Sequence, residues 1–284
     1  MLYMKFTKMH GLGNCYIYVN CFEEVLVEES LPGIAEFVSD VNFGIGADGM
    51  ILICPSEVAD FKMRIFNIDG SEGQNCGNGL RCVAKYVYER GLTKKTNFHI
   101  ETLGGIVNAD LDVHGLRVEL ITIDMGEPLF LKKDLPMVGD PLSQTIREKI
   151  EVDGRIIEIT ALSVGNPHMI IYVDDIDEAP VEQLGPKLEK HPLFPKRVNV
   201  AFNQIISRDE MYFRVWERGS GITQACGTAA CASVVAGVVN GFLDQDIPIT
   251  VHLLGGDLEI TYNRNGKIYM TGPAAVVADG EIYI

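Results

Sequence analysis

Two predicted helices that open on the same dipeptide, Cys76-Gly77 and Cys226-Gly227, set the plan of this 284-residue sequence. Ahead of the first, apolar residues alternate at Lys5 to Lys8, Tyr16 to Asn20, Met50 to Ile53 and Phe61 to Ile68, the period of half-buried strands. After Asp69-Gly70 the period changes. Leu80, Val83, Ala84 and Val87 stand at i, i+3, i+4 and i+7, which predicts a helix closed by Gly91. More strands are expected at Phe98 to Thr102, Ile106 to Leu111 and Leu116 to Ile123. The second half repeats the grammar. Strands near Ile156 to Ala161, Met169 to Val173, Val198 to Ile206 and Met211 to Trp216 lead to a helix over about Cys226 to Asn240. A further helix is expected over Val181 to Glu189, and closing strands around the Gly255-Gly256 and Asn265-Gly266 turns. The shared element, C-G-N-G-L-R-C at 76–82 and C-G-T-A-A-C at 226–231, points to two similar halves joined near Met125-Gly126-Glu127-Pro128. Strands and helices mixed in this way predict an α/β (α+β) protein.

Charge and cysteine usage narrow the function. With 24 basic and 39 acidic residues the formal charge is −15, which repels nucleic acid and anionic lipid. The first residues interleave Lys5, Lys8 and His10 with apolar ones and lack a signal-peptide core, so a cytoplasmic location is expected. The least charged run, Ala225 to Val239, is shorter than a bilayer span and reads as a buried helix. Seven cysteines are an odd number, which argues against a disulfide framework. Their spacings contain no C-x-x-C, and no histidine pair has a ligand spacing, so a structural zinc site is not expected.

The first N–H groups of a helix lack intrahelical partners and carry partial positive charge, so such an end binds an anion. Glycine after the cysteine lets a carboxylate approach the amides of Gly77 and Asn78, or of Gly227 and Thr228. The same field stabilises a thiolate. Two such thiols on opposite sides of one carboxylate-bearing carbon would form a two-base racemase, its anionic transition state met by preorganised amides. Cys15, Cys21, Cys54, Cys82 and Cys231 are expected to be small buried hydrophobes, the commoner fate of free cysteine. One thiolate at a helix end would equally serve a ligand-binding or redox-sensing protein. Asp48 and Asp69, beside glycines, read as turn formers, and Trp216 as core.

The segments M-H-G-L-G-N (9–14), F-G-I-G-A-D-G (43–49), R-I-F-N-I-D-G-S-E (64–72), C-G-N-G-L-R-C (76–82), G-N-P-H (165–168), R-V-N (197–199), W-E-R-G (216–219) and A-C-G-T (225–228) resemble the diaminopimelate epimerase family over nearly the whole chain. That resemblance implies two pseudo-symmetric domains, each a mostly antiparallel sheet or barrel wrapped around a central helix, with the active site in the cleft between them. The halves are expected at 1–124 with 273–284, carrying Cys76, and at 125–272, carrying Cys226. It implies Cys76 and Cys226 as the acid/base pair and Gly77, Asn78, Gly227 and Thr228 as holders of the reacting carboxylate. It further implies that Asn67, Asn166, Asn199 and Arg218 hold the distal end of the substrate, that Asn14 and Glu217 contact the reacting end, and that His168 and Glu217 tune the thiols. The implied reaction interconverts LL- and meso-diaminopimelate without a cofactor, on a small-molecule amino acid, with a homodimer as one option for assembly. A racemase of another amino acid, histidine for example, is the alternative within the same chemistry. The sequence departs from the family pattern at Cys15, Val41-Asn42, Gly49 and Ala229, of which Cys15 and Val41-Asn42 fall close to inferred substrate contacts.

Overall fold

The computed structural model describes residues 3–284, which divide into two compact units, Met1–Asp124 with Thr271–Ile284, and Met125–Met270. In the first unit the chain runs β1 (Tyr3–Gly11), β2 (Asn14–Asn20), α1 (Leu31–Ser39), β3 (Gly49–Cys54), β4 (Phe61–Asn67), α2 (Gly77–Glu89), β5 (Asn97–Thr102), β6 (Gly105–His114) and β7 (Arg117–Gly126). The last strand of the chain, Ala275–Tyr283, pairs antiparallel with β1. Pairing then proceeds antiparallel to β2, parallel to β3, antiparallel to β4, parallel to β5 and antiparallel to β6 and β7.

The second unit contains β8 (Thr145–Val152), β9 (Arg155–Ser163), β10 (Pro167–Tyr172), α3 (Val181–Glu189), β11 (Asn199–Ile205), β12 (Glu210–Glu217), α4 (Gly227–Val239), β13 (Ile249–Leu253) and β14 (Gly256–Tyr262). From β8 to β14 its pairings run antiparallel, antiparallel, parallel, antiparallel, parallel and antiparallel. This is the succession found from the terminal strand through β6 in the first unit. The helices also fall at equivalent places: α1 and α3 cross the first parallel step, α2 and α4 the second. The expected repetition of one plan is therefore present in strand pairing as well as in the Cys-Gly motif.

Each unit buries one helix deeply. Leu80, Val83, Ala84 and Val87 of α2 are fully buried, and the helix packs on β1, β2 and β6. It lies so close to β3 that a Cβ on Gly79 would stand 2.6 Å from Ile51 Cδ1. Residues 229 to 236 of α4 are all buried, and the helix packs on β9, β10, β11 and β14. A helix apolar on every side must be enclosed. No helix among the described residues is long and apolar enough to cross a membrane.

Neither helix α1 nor strand β8 is expected from the sequence. Helix α1 has only nine residues, with Pro32 and Gly33 in its first turn, and Leu31, Ala35 and Val38 give too short a stripe to show a period. In β8, Arg147 takes a left-handed φ of 53°, and the pairing with β9 shifts between Ile159 and Ala161. That bulge breaks the alternation, so Thr145 is buried yet so are Ile150 and Val152, an odd number of residues further on.

Candidate active site

In the first unit the strand-to-helix turn after β4 presents Cys76 as the N-cap of α2. Its backbone is extended, with φ −148° and ψ 109°, and its sulfur accepts the Gly79 amide at 3.3 Å. The thiol lies 3.5 Å from Asn14 Oδ1, to which it donates, and Asn78 Nδ2 donates to the same oxygen at 3.2 Å. Asn14 Nδ2 in turn donates to Asp48 Oδ2 at 2.8 Å, and the Cys15 amide donates to that oxygen at 2.7 Å. A carboxylate only accepts, so Asp48 fixes the amide of Asn14 with its nitrogen outward and its oxygen toward Cys76. Tyr16 closes the group from the core side. Its side chain is buried, and burial, with Cys76 and Asp48 adding to the shift, holds the phenol well above its ordinary range.

The sequence alone marks Asp48 only as a turn former, and nothing local marks Tyr16. The signal for Asp48 lies 34 positions from Asn14 and depends on the parallel pairing of β2 with β3, which no local pattern displays. Asp48→Asn should free the Asn14 amide to turn and offer a donor to Cys76, favouring the thiolate. The expected result is a pH–rate profile whose thiol limb moves to lower pH, with Asp48→Glu closer to wild type. An unchanged limb would remove Asp48 from this role.

Asn67 ends β4 opposite Gly49. Its amide nitrogen donates to Ser71 Oγ at 3.0 Å, within a turn where Asp69 Oδ1 accepts the Ser71 amide at 3.0 Å. Asp69 is thus the expected turn former. Beneath the start of α2, Arg81 is fully buried and its Nε donates to the Pro273 carbonyl at 3.1 Å. Gly11 makes room for it, since a Cβ there would stand 2.8 Å from the Arg81 guanidinium.

In the second unit Cys226 caps α4 with φ −124° and ψ 103°. Its sulfur lies 3.6 Å from the Thr228 hydroxyl. Burial pushes this thiol well above its ordinary range and the charge of Glu217 adds to the shift, while the Ala229 amide and the Thr228 hydroxyl oppose it. Cys226 is therefore held as a neutral thiol, and Glu217 is held by Thr223. Asn199 begins β11 directly beside His168 of β10 in the parallel ladder. Its Oδ1 accepts the Arg218 amide at 2.8 Å, and the Arg218 guanidinium donates to the Lys196 carbonyl at 3.1 Å. His168 is fully buried with Nε2 2.7 Å from Asn166 Oδ1. The ends of β10, β11 and β12 thus gather Asn166, His168, Asn199, Glu217 and Arg218, while Cys226, Gly227 and Thr228 open α4.

Burial, together with the Arg218 charge, lowers the His168 pKa from 6.5 to about 3. The unfolded chain therefore binds a proton that the native chain refuses between those values. Stability is fully present above the ordinary imidazole range and falls as pH drops from about 6.5 toward 3, by up to ~1.4 kcal/mol per pH unit from this group. Urea midpoints measured from neutral to mildly acidic pH should show this slope, and His168→Gln should flatten it.

Among the cysteines expected to be buried, Cys82 and Cys231 are, whereas Cys15, Cys21 and Cys54 are only half-buried. The reason is position. The first two lie inside the buried helices, and the other three lie at strand ends. Trp216, expected in the core, is half-buried and packs against it, with its indole nitrogen donating to Glu189 Oε2 at 2.9 Å.

Residues 6–131 and 160–277 match the family described as "Diaminopimelate epimerase". A diaminopimelate epimerase of Geobacillus thermodenitrificans is 59% identical over 278 residues, covering 98% of this chain and 96% of the relative. That of Bacillus pumilus is 56% identical over 284 residues, covering 100% of each. Among solved structures, a phenazine biosynthesis protein of the PhzF family from Bacillus anthracis superposes with a TM-score of 0.73 at 22% identity over 100% of both chains. A hydroxyproline epimerase from Agrobacterium vitis gives a TM-score of 0.70 at 14% identity, covering 99% of this chain and 91% of that one. These two likenesses establish the fold alone.

Proposed function

The chain belongs to the diaminopimelate epimerase family, and on that premise we propose that it interconverts LL- and meso-2,6-diaminopimelate by moving one α-proton between Cys76 and Cys226. The observation that carries this reading is the pair of cysteines at the N-caps of α2 and α4, each followed by glycine. One sulfur, as thiolate, takes the α-proton. The electron pair left on carbon spreads into the carboxylate, whose growing charge is met by the first-turn amides of Gly77, Asn78, Gly227 and Thr228. The other sulfur, as thiol, delivers its proton to the opposite face. The roles then stand exchanged, and the return reaction resets them. One member must be charged while the other is neutral, so the two titrate as a coupled unit.

The neutral state favoured at Cys226 suits the proton donor, and the Gly79 amide that donates to the Cys76 sulfur supports a thiolate there as the proton acceptor. Arg218, Asn67, Asn166 and Asn199 are proposed to hold the distal amino-acid end. A guanidinium fork matches a carboxylate, and amides can both donate and accept, as a zwitterion requires. Asn14 and Glu217 are proposed to contact the reacting end, and Glu217 and His168 to set the thiols. The halves carrying these groups are proposed to be 1–124 with 273–284, and 125–272. We place the reaction in the cytoplasm, in keeping with the −15 charge and a small polar substrate, and name a homodimer as the assembly to test by sedimentation.

Incubation of the pure protein with LL-diaminopimelate in D2O tests the proposal. The expected product is the meso isomer with deuterium at the inverted α-carbon. Absence of both refutes it, and inversion of histidine in place of diaminopimelate would transfer the chemistry to another substrate.

A further inference from the structure

The half-buried cysteines at positions 21 and 54 lie outside the groups described above, and strand register brings them together. Strands β2 and β3 are parallel, with Ile17 beside Met50, Val19 beside Leu52 and Asn20 beside Ile53. The ladder continues one residue further, because the Cys21 amide donates to the Ile53 carbonyl at 2.9 Å. Cys21 therefore lies next to Cys54. The face is fixed as well. Ile17, Val19, Met50 and Leu52 belong to the core cluster that also holds Leu31, Ala35 and Val38 of α1, and both cysteines pack against it. Alternate residues of a strand share a face, so Ile17, Val19 and Cys21 form one column and Met50, Leu52 and Cys54 its neighbour. The two thiols form the last rung and are half exposed.

Adjacent strands lie ~4.8 Å apart, within the Cα separation of ~4.4 to 6.8 Å that a disulfide spans. On the other side of Cys54 the register places Lys62, with Arg64 one rung away beside Leu52. Lys62 is paired with Glu101, and Arg64 with Glu28 and Glu72. Cys54 is held below the ordinary thiol range by the neighbouring Cys21 thiol and by Arg64 and Lys62, with burial and Glu28 opposing. Cys21 is held above it, by the neighbouring Cys54 and by burial.

We propose that Cys21 and Cys54 form a second reactive dithiol, separate from Cys76 and Cys226, which is oxidised by low-molecular-weight disulfides with Cys54 attacking and Cys21 resolving. The Cys54 thiolate attacks one sulfur of the small disulfide, forming a mixed disulfide and releasing one thiolate. Cys21 then gives up its proton and attacks Cys54 Sγ, which releases the second thiolate and leaves a Cys21–Cys54 bond. Two protein thiols are oxidised, one small disulfide is reduced to two thiols, and the two protein protons end on those thiols.

Oxidised glutathione is the probe. The full-length protein is treated at mildly alkaline pH, and its peptides are mapped by mass spectrometry. Wild type should yield a Cys21–Cys54 cross-linked peptide lacking two hydrogens. Cys21→Ser should instead accumulate one glutathionyl group on Cys54. Cys54→Ser should leave Cys21 reacting at least ~10-fold more slowly, as expected of a thiol with little thiolate. Both variants should keep epimerisation within about twofold of wild type, because neither residue touches the proposed substrate groups. Circular dichroism of each variant checks the fold, and Cys21→Ala and Cys54→Ala replace any serine variant that fails it. A wild-type protein that keeps glutathione on Cys54 without closing the bridge overturns the pairing. Faster modification of Cys21 than of Cys54 overturns the assignment of attacker and resolver.

Discussion

Cys76→Ser and Cys226→Ala should each lower the interconversion of LL- and meso-diaminopimelate by about 10³-fold or more, the scale of losing a positioned proton carrier. The substitutions differ because the two caps differ. The Cys76 side chain accepts the Gly79 amide, and serine is itself a favoured N-cap, so Cys76→Ser keeps the helix start while its hydroxyl is far too weak an acid to carry the proton. Cys226 makes no side-chain cap bond and is buried, so alanine removes the sulfur without leaving a polar atom in the core. Thermal midpoints should accordingly stay near wild type while turnover is lost. Steady-state assays of both directions read the result. Either variant retaining a tenth of wild-type activity would contradict two-base transfer.

Arg218→Met should lower kcat/KM by about 10²-fold or more, since a substrate carboxylate would enter a site that no longer pairs it. Arg218 is held at both ends of its residue, by the Asn199 side chain at its amide and by the Lys196 carbonyl at its guanidinium. One donor of the planar fork is thereby used, and the rest are aimed by it. Lysine keeps the charge but loses the fork, so Arg218→Lys should recover only part of the loss. If Arg218 holds the distal end and takes no part in the proton transfer, the loss should appear more in KM than in kcat. A fall in kcat alone, with KM unchanged, would place the residue at the reacting end instead.

The candidate groups were legible to different depths. The caps could be read because a cysteine and a glycine between a strand and a helix stripe are local signals, and the cap geometry at Cys76 and Cys226 matches them. The Asn-rich segments could be read only through family resemblance, because an asparagine in a turn looks the same whether it binds a ligand or its own backbone. Asn67 illustrates this, since in the structure it also ties its own turn through Ser71. Asp48 as the partner of Asn14, and Tyr16 beside the Cys76 group, were not legible, and α1 was lost to its shortness and its Pro32-Gly33 start.

By itself the sequence determined where strands give way to helices, that two helices begin on cysteine, and that the chain repeats one plan. These are decided within a few residues by side-chain period, glycine freedom and the unpaired amides of a helix end. The tertiary structure alone decided which distant residues stand side by side. Parallel ladders put His168 beside Asn199 and Cys21 beside Cys54, and the turn before β3 brings Asp48 to Asn14. Such neighbours follow from strand order and register, which the burial of whole faces selects over the full chain and no local window contains.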